Sequence, residues 1–293
     1  MPRAAANGIE LEYDTFGSPA HPALLLIMGL GTQMTAWDPR FCGKLAERGF
    51  HVIRFDNRDI GLSTQFDGLP EPDLVAILGG DRGCVPYMLA DMADDAAGLL
   101  DTLEVDRAHV VGASMGGMIA QELAIRHGER VLSLCSIMST SGNRDVGYPT
   151  QEAMAALMAP RGADREQAIS RAVQVQRIIG SGAPQYAVSD EVRYERAAAA
   201  YDRAYRPDGG IRQLAAIAAS PDRTEALGAL KLPVLVMHGD QDPLVDVSGG
   251  RATAAAVPGA ELRIFPGMGH DLPEPLWNEF VEAISRNAAR AAR

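Results

Sequence analysis

The feature that most constrains this chain is a single turn. Residues 108–111 form the apolar, β-branched run Ala-His-Val-Val, which leads directly into Gly112-Ala113-Ser114-Met115-Gly116. An amphipathic stretch with good helix formers follows from Met118 onward. A serine thrust out between a strand and a helix must take a strained backbone conformation. Gly112 and Gly116 carry no Cβ, so neighbouring backbones can pass close to the turn. The helix beyond it points its positive N-terminal end at the reacting oxygen. Gly-x-Ser-x-Gly alone is a weak signal, and the bland alternative is an ordinary connection with a solvated serine. In a strand–turn–helix context the motif reads as a nucleophile.

The rest of the chain keeps the rhythm that such a turn belongs to. In residues 8–16, Ile9, Leu11 and Tyr13 alternate with Glu10, Glu12 and Asp14, as in a half-buried antiparallel strand. Residues 23–28 are continuously apolar, as expected of a strand covered on both faces. A helix over 37–49, a strand over 51–56, a helix over 87–103 and a strand over 131–138 complete the first half. From about 139 to 222 the chain is rich in Ala, Arg and Gln and offers helical stretches without a convincing strand. The alternation resumes with strands at 233–239 and 260–266 and helices at 249–257 and 273–290. Strands alternating with helices predict an α/β fold with a parallel sheet and right-handed crossovers. A helical insertion between two such units predicts a cap over the carboxyl ends of the strands. The expected division is a core of residues 1–138 and 223–293 with a cap at 139–222.

Composition narrows the function classes. The 293 residues are 47% hydrophobic, enough for a substantial core, and the net charge of -11 argues against nucleic acid or an anionic membrane as partner. Cys42, Cys84 and Cys135 are dispersed, without metal-ligand spacing, and read as reduced thiols. The first residues lack the apolar stretch of a signal peptide, and no run is long enough to span a bilayer. A cytoplasmic protein is expected. No His-x-x-x-His spacing, Walker loop or dinucleotide fingerprint occurs, so neither a metal nor a cofactor is expected.

A serine hydroxyl is a poor nucleophile near neutral pH and needs a base, which in turn needs an orienting acid. In this topology the order along the chain is Ser, then Asp or Glu, then His. Beyond Ser114, the His in a loop after the resumed sheet is His270, in Pro266-Gly267-Met268-Gly269-His270. The acid should follow the strand at 233–239, where Asp240, Asp242 and Asp246 compete. Asp242 is preferred because Pro243 holds it extended. Asp240 is the main rival and could instead serve the turn, and Asp246 could open the next helix. His238 precedes the acid and reads as a brace for the loop. The developing oxyanion needs two preorganised donors, expected to be the backbone N–H groups of Met115 and Leu30. Arg58 and Asp59 read as an ion pair pinning the loop beside the site. Arg161, Arg165, Arg171 and Arg177 read as a solvated helical face. Met34, Met118, Met138, Met154 and Met158 could line an adaptable pocket, although core is the better reading for most of them.

These pieces, together with Leu26-Ile27-Met28-Gly29-Leu30-Gly31, residues 52–63 and His238-Gly239-Asp240-Gln241-Asp242-Pro243, resemble the α/β-hydrolase superfamily over nearly the whole chain. Within it the chain is most similar to the aclacinomycin methylesterase-like carboxylesterases. The resemblance implies a mostly parallel sheet of about eight strands, a helical cap inserted after the sixth strand, no cofactor, and Ser114, Asp242 and His270 as the catalytic set. Met28-Gly29 stands where many relatives have His-Gly, which removes a side chain that shapes the oxyanion loop in them. The expected activity is a serine carboxylesterase that hydrolyses small to medium apolar esters through an acyl-enzyme, with a small-molecule ester as partner. Carbon–carbon cleavage of diketones, lactone hydrolysis and perhydrolysis share the same residues. A slow-turnover small-molecule receptor is the alternative from another class. Haloalkane dehalogenases and epoxide hydrolases need Asp where Ser114 stands, and proline iminopeptidases usually carry Trp where Met115 stands.

Overall fold

The structure, a computed structural model, describes residues 1–160 and 162–292. Eight strands form one sheet: β1 (Arg3–Ala6), β2 (Ile9–Phe16), β3 (Ala23–Ile27), β4 (His51–Phe55), β5 (Ala108–Ala113), β6 (Val131–Ile137), β7 (Val234–Gly239) and β8 (Glu261–Phe265). Their order is β1-β2-β4-β3-β5-β6-β7-β8. β1 and β2 join by antiparallel pairing, and β3 to β8 run parallel. β5, which carries the turn, lies at the centre of this order.

Eleven α-helices are described: α1 (Pro39–Glu47), α2 (Leu74–Leu78), α3 (Leu89–Thr102), α4 (Met115–Arg126), α5 (Gln151–Met158), α6 (Arg165–Ile179), α7 (Asp190–Arg203), α8 (Pro207–Ala219), α9 (Thr224–Leu227), α10 (Val247–Ala256) and α11 (Trp277–Ala289). Strand side chains alternate between the two faces of the sheet. Leu25, Ile27 and Val110 pack with Leu100, Ile119 and Leu123 of α3 and α4. Leu24, Leu26 and Val111 pack with Phe41 and Leu45 of α1 and Phe280 and Ile284 of α11. Continuous burial of β3 and β5 follows from this double cover.

Local chemistry sets the helix ends and explains where expectation slips. The helix expected from 37 begins at Pro39, because Asp38 caps it and accepts the Arg40 N–H. The helix expected from 249 begins at Val247, capped by Asp246 through the Ser248 N–H. The helix expected from 273 begins as the 3-10 turn Glu274–Leu276 before α11. β1 was not expected. Its four residues, Arg-Ala-Ala-Ala, have little strand propensity, and pairing with β2 defines it.

Helices α5 to α8 all lie between β6 and β7. Thr150, Asp164 and Ser189 cap α5, α6 and α7 through their side chains. Among the described residues, no helix is long and apolar enough to cross a membrane. Cys42 and Cys135 are buried free thiols, Cys84 a half-buried one, and burial pushes Cys42 up to about 12.

Candidate active site

Ser114 follows the last residue of β5 with φ 57° and ψ -122°, a left-handed conformation that costs on the order of 1–3 kcal/mol for a residue with a side chain. Close packing imposes it. A Cβ on Gly112 would strike the Gly116 carbonyl, and a Cβ on Gly116 would strike the carbonyl of Ile27 at the end of β3. The turn is thus wedged between its own helix and the neighbouring strand. Its backbone is tied down as well: the Ser114 N–H donates to the Ile137 carbonyl at 2.9 Å, and Ser139 Oγ donates to the Ser114 carbonyl at 2.8 Å.

His270 Nε2 lies 2.9 Å from Ser114 Oγ, and His270 Nδ1 lies 2.8 Å from Asp242 Oδ2. The carboxylate can only accept, so the Nδ1 proton belongs on the Asp242 side and Nε2 is left to accept from the serine hydroxyl. The other carboxylate oxygen, Oδ1, accepts the N–H groups of Leu244 and Val245, each at 2.9 Å. Burial on its own would raise the Asp242 carboxyl. His270, His238 and the Val245 N–H outweigh burial and hold it well below the usual carboxylate range. Asp242 therefore stays charged beside the imidazole.

The two rival acids point elsewhere. Asp240 is exposed and accepts the Gly267 N–H at 2.7 Å, steadying the loop that leads to His270. Asp246 caps α10. His238 is fully buried, with Nε2 2.8 Å from the Val245 carbonyl and 3.4 Å from Asp242 Oδ2, so it braces the acid's loop.

On the opposite side of the serine, a Cβ on Gly29 would sit 3.0 Å from Ser114 Cβ, so the loop after β3 presses on the nucleophile. Asn57 Nδ2 holds that loop by donating to the Met28 carbonyl at 2.9 Å. Among the described residues, the N–H groups of Leu30 and Met115 are not paired with a backbone carbonyl. The next amide, Gly31 N–H, is engaged by Gln213 Oε1 at 2.8 Å.

The expected Arg58–Asp59 pair does not form. Arg58 makes a two-pronged contact with Asp95, both bonds at 2.6 Å, and Asp59 accepts from Arg212 at 2.8 and 2.7 Å and from the Tyr87 hydroxyl at 2.8 Å. Both residues brace the loop, but each through α3 or α8. Arg58 and Asp59 lie in a tight turn in which Asp59 takes a positive φ of 69°, and the two side chains find distant partners. Of the arginines read as a solvated face, Arg165 and Arg177 are exposed and paired with Asp202 and Asp190. Arg171 instead reaches inward to the Leu157 carbonyl, and Arg161 lies outside the described residues. Met34, Met118 and Met138 are core, whereas Met154 and Met158 are exposed on α5.

Sequence reasoning missed the residues of the inserted segment that touch the loops around the site: Ser181 on the His270 loop, Gln213 on the Leu30 loop, and Arg203 and Arg212 on Asp56 and Asp59. Gly180-Ser181-Gly182 is a turn signal, yet it carries no information on what the turn touches. Among the described residues, no group of three or more His, Cys, Asp or Glu side chains gathers as a metal site would require.

The chain is similar to known proteins over most of its length. Rhodomycin D methylesterase DauP of Streptomyces sp. (strain C5) is 29% identical, over 97% of this chain and 96% of the relative. 3-oxoadipate enol-lactonase 2 of Acinetobacter baylyi is 25% identical, over 96% of this chain and 95% of the relative. The meta-cleavage product hydrolase CumD of Pseudomonas fluorescens IP01 superposes with a TM-score of 0.78 at 20% identity, covering 99% of this chain and 98% of that one, a likeness of fold. The family model for the α/β hydrolase fold matches residues 22–274, and the chain belongs to that family.

Proposed function

We propose that the protein is a serine carboxylesterase in which Ser114 is the nucleophile, His270 the base and Asp242 the acid. The observation that carries this reading is the unbroken relay of hydrogen bonds from Ser114 Oγ through both ring nitrogens of His270 to a buried, charged Asp242. Ser114 Oγ attacks the ester carbonyl while its proton passes to His270 Nε2, and Asp242 stabilises the imidazolium that results. The carbonyl oxygen, now negative, takes hydrogen bonds from the Leu30 and Met115 amides, each contributing roughly 3 kcal/mol to lowering the barrier. Collapse of the tetrahedral intermediate breaks the bond to the alcohol oxygen, which leaves with the proton from His270. A water molecule then repeats the attack on the acyl-enzyme, and Ser114 is regenerated.

The helices at 139–222 serve as the cap and supply most of the wall that chooses the substrate. The methylesterase relatives support esters of a small alcohol, and the enol-lactonase relative extends the class to cyclic esters. Multiple-turnover hydrolysis of a p-nitrophenyl ester tests the reading. Ser114→Ala should lower the rate by at least about 1,000-fold. A chain-length series of acyl esters, with a diketone included, defines the acyl preference. Preference for the diketone over every ester would overturn the esterase assignment.

A further inference from the structure

The loop that carries His270 does not stand alone on the sheet. Three consecutive residues of it are bonded to the turn that ends α6. The His270 N–H donates to the Ile179 carbonyl at 2.7 Å, and the Gly269 N–H donates to Ser181 Oγ at 2.9 Å. Ser181 in turn donates its hydroxyl to Asp271 Oδ1 at 2.5 Å and its N–H to Asp271 Oδ2 at 3.1 Å. The two backbones are pressed together. A Cβ on Gly269 would lie 2.5 Å from the Gly180 carbonyl carbon and 2.8 Å from the Ile179 oxygen. Ser181 is buried, so water competes little for these bonds.

A second contact of the same kind reaches the other side of Ser114. Gln213, in α8 and fully buried, accepts the Gly31 N–H through Oε1 at 2.8 Å and donates through Nε2 to the Arg58 carbonyl at 2.8 Å. This fixes the peptide plane that joins Leu30 to Gly31, the plane next to the one that carries the Leu30 N–H, and so narrows the backbone freedom of Leu30. Both contacts come from the segment inserted between β6 and β7. Both end within one residue of a group that the reaction uses.

We propose that Ser181 and Gln213 are positioning residues through which the inserted helices hold the base and the oxyanion donor in their working geometry. The site is then complete only when the insertion is seated. This proposal rests on the reading of Ser114, His270, Asp242 and Leu30 given above.

Steady-state kinetics on the full chain test it, with the melting midpoint recorded for every variant. Ser181→Ala and Gln213→Leu are each expected to lower kcat for a p-nitrophenyl ester by about 10- to 100-fold, with KM within about twofold, the scale expected of a small misplacement of reacting groups. Ser181→Thr, which keeps the hydroxyl, should recover most of the loss. The two variants should also differ from each other. Ser181→Ala broadens or removes the downfield proton resonance of the His270–Asp242 hydrogen bond. Gln213→Leu leaves that resonance in place and instead weakens binding of a trifluoromethyl ketone, whose adduct with the serine mimics the oxyanion. Should Ser181→Ala fail to fold, Asp271→Asn removes the charge that Ser181 bonds to, and it should show a smaller loss of kcat with the same broadening. An unchanged kcat in the folded variants, or a rise in KM alone, overturns the proposal. Turnover of Ser114→Ala close to that of the unmutated chain would instead overturn the assignment of Ser114 as nucleophile beneath it.

Discussion

At the centre of the sheet, Leu24, Leu25, Leu26 and Ile27 are all fully buried, each feeding one of two broad apolar layers. The helices inserted between β6 and β7 are built differently. Ile169, Val173 and Ala197 form a small core between α6 and α7. Around it lie the exposed ion pairs Arg165–Asp202 and Arg177–Asp190. Where the insertion meets the sheet, the pairs change character: Arg212–Asp59 and Arg203–Asp56 join arginines of the insertion to fully buried carboxylates on the loop after β4. Area holds the sheet, and directional polar contacts specify where the insertion sits. Burial of apolar surface tolerates small shifts, whereas a desolvated ion pair does not.

Breaking one of these docking pairs should therefore cost most. Arg212→Leu leaves Asp59 buried and charged, and is expected to lose about 3–5 kcal/mol in urea denaturation. Adding Asp59→Asn removes that stranded charge and should return part of the loss, which separates the cost of an unpaired carboxylate from that of the missing contact.

A smaller effect lies in the sheet itself. His109 of β5 is buried, with Nδ1 2.9 Å from Ser133 Oγ. Burial, helped by Arg107, lowers its imidazole from 6.5 to about 4. On acidification the unfolded chain takes up this proton first. The contribution is full above about pH 6.5 and is lost as the pH falls toward 4, amounting to about 3 kcal/mol at most. Stability measured across that window should show this slope, and His109→Gln should flatten it. At the bottom of the scale, Arg165→Ala removes an exposed pair within the insertion and should leave the melting midpoint where it was. A clear drop there would mean that the insertion depends on its surface charges after all.

How far each region can be read from sequence follows the same division. The turn at Ser114 is legible because close backbone packing demands glycine at 112 and 116. That Ser114, His270 and Asp242 would meet is legible from topology, since β7 and β8 are neighbours and only β6 separates them from β5 at the same end of a parallel sheet. The rest depends on partners far apart in the chain. Asp59 finds Arg212 and Arg58 finds Asp95, although Arg58 and Asp59 are neighbours in sequence. Gln213 and Ser181 have no periodic or spacing signature, because what they contact is settled only when the helices pack. Met154 and Met158 look like Met118 in composition, yet they face solvent on a short helix with one fully packed position, Ala153.

The position of the insertion has one more consequence, for how the chain assembles. β6 pairs with β7, yet residues 138–233 lie between them. Closing so long a loop costs little at equilibrium, since loop entropy grows only with the logarithm of length. It is costly in time, because pairing of distant segments slows folding. During synthesis β6 emerges as an open apolar edge and waits through the whole insertion for its neighbour. Such an edge is a template for intermolecular pairing. The interval between the two strands is therefore when this chain is most exposed to aggregation, however stable the finished sheet.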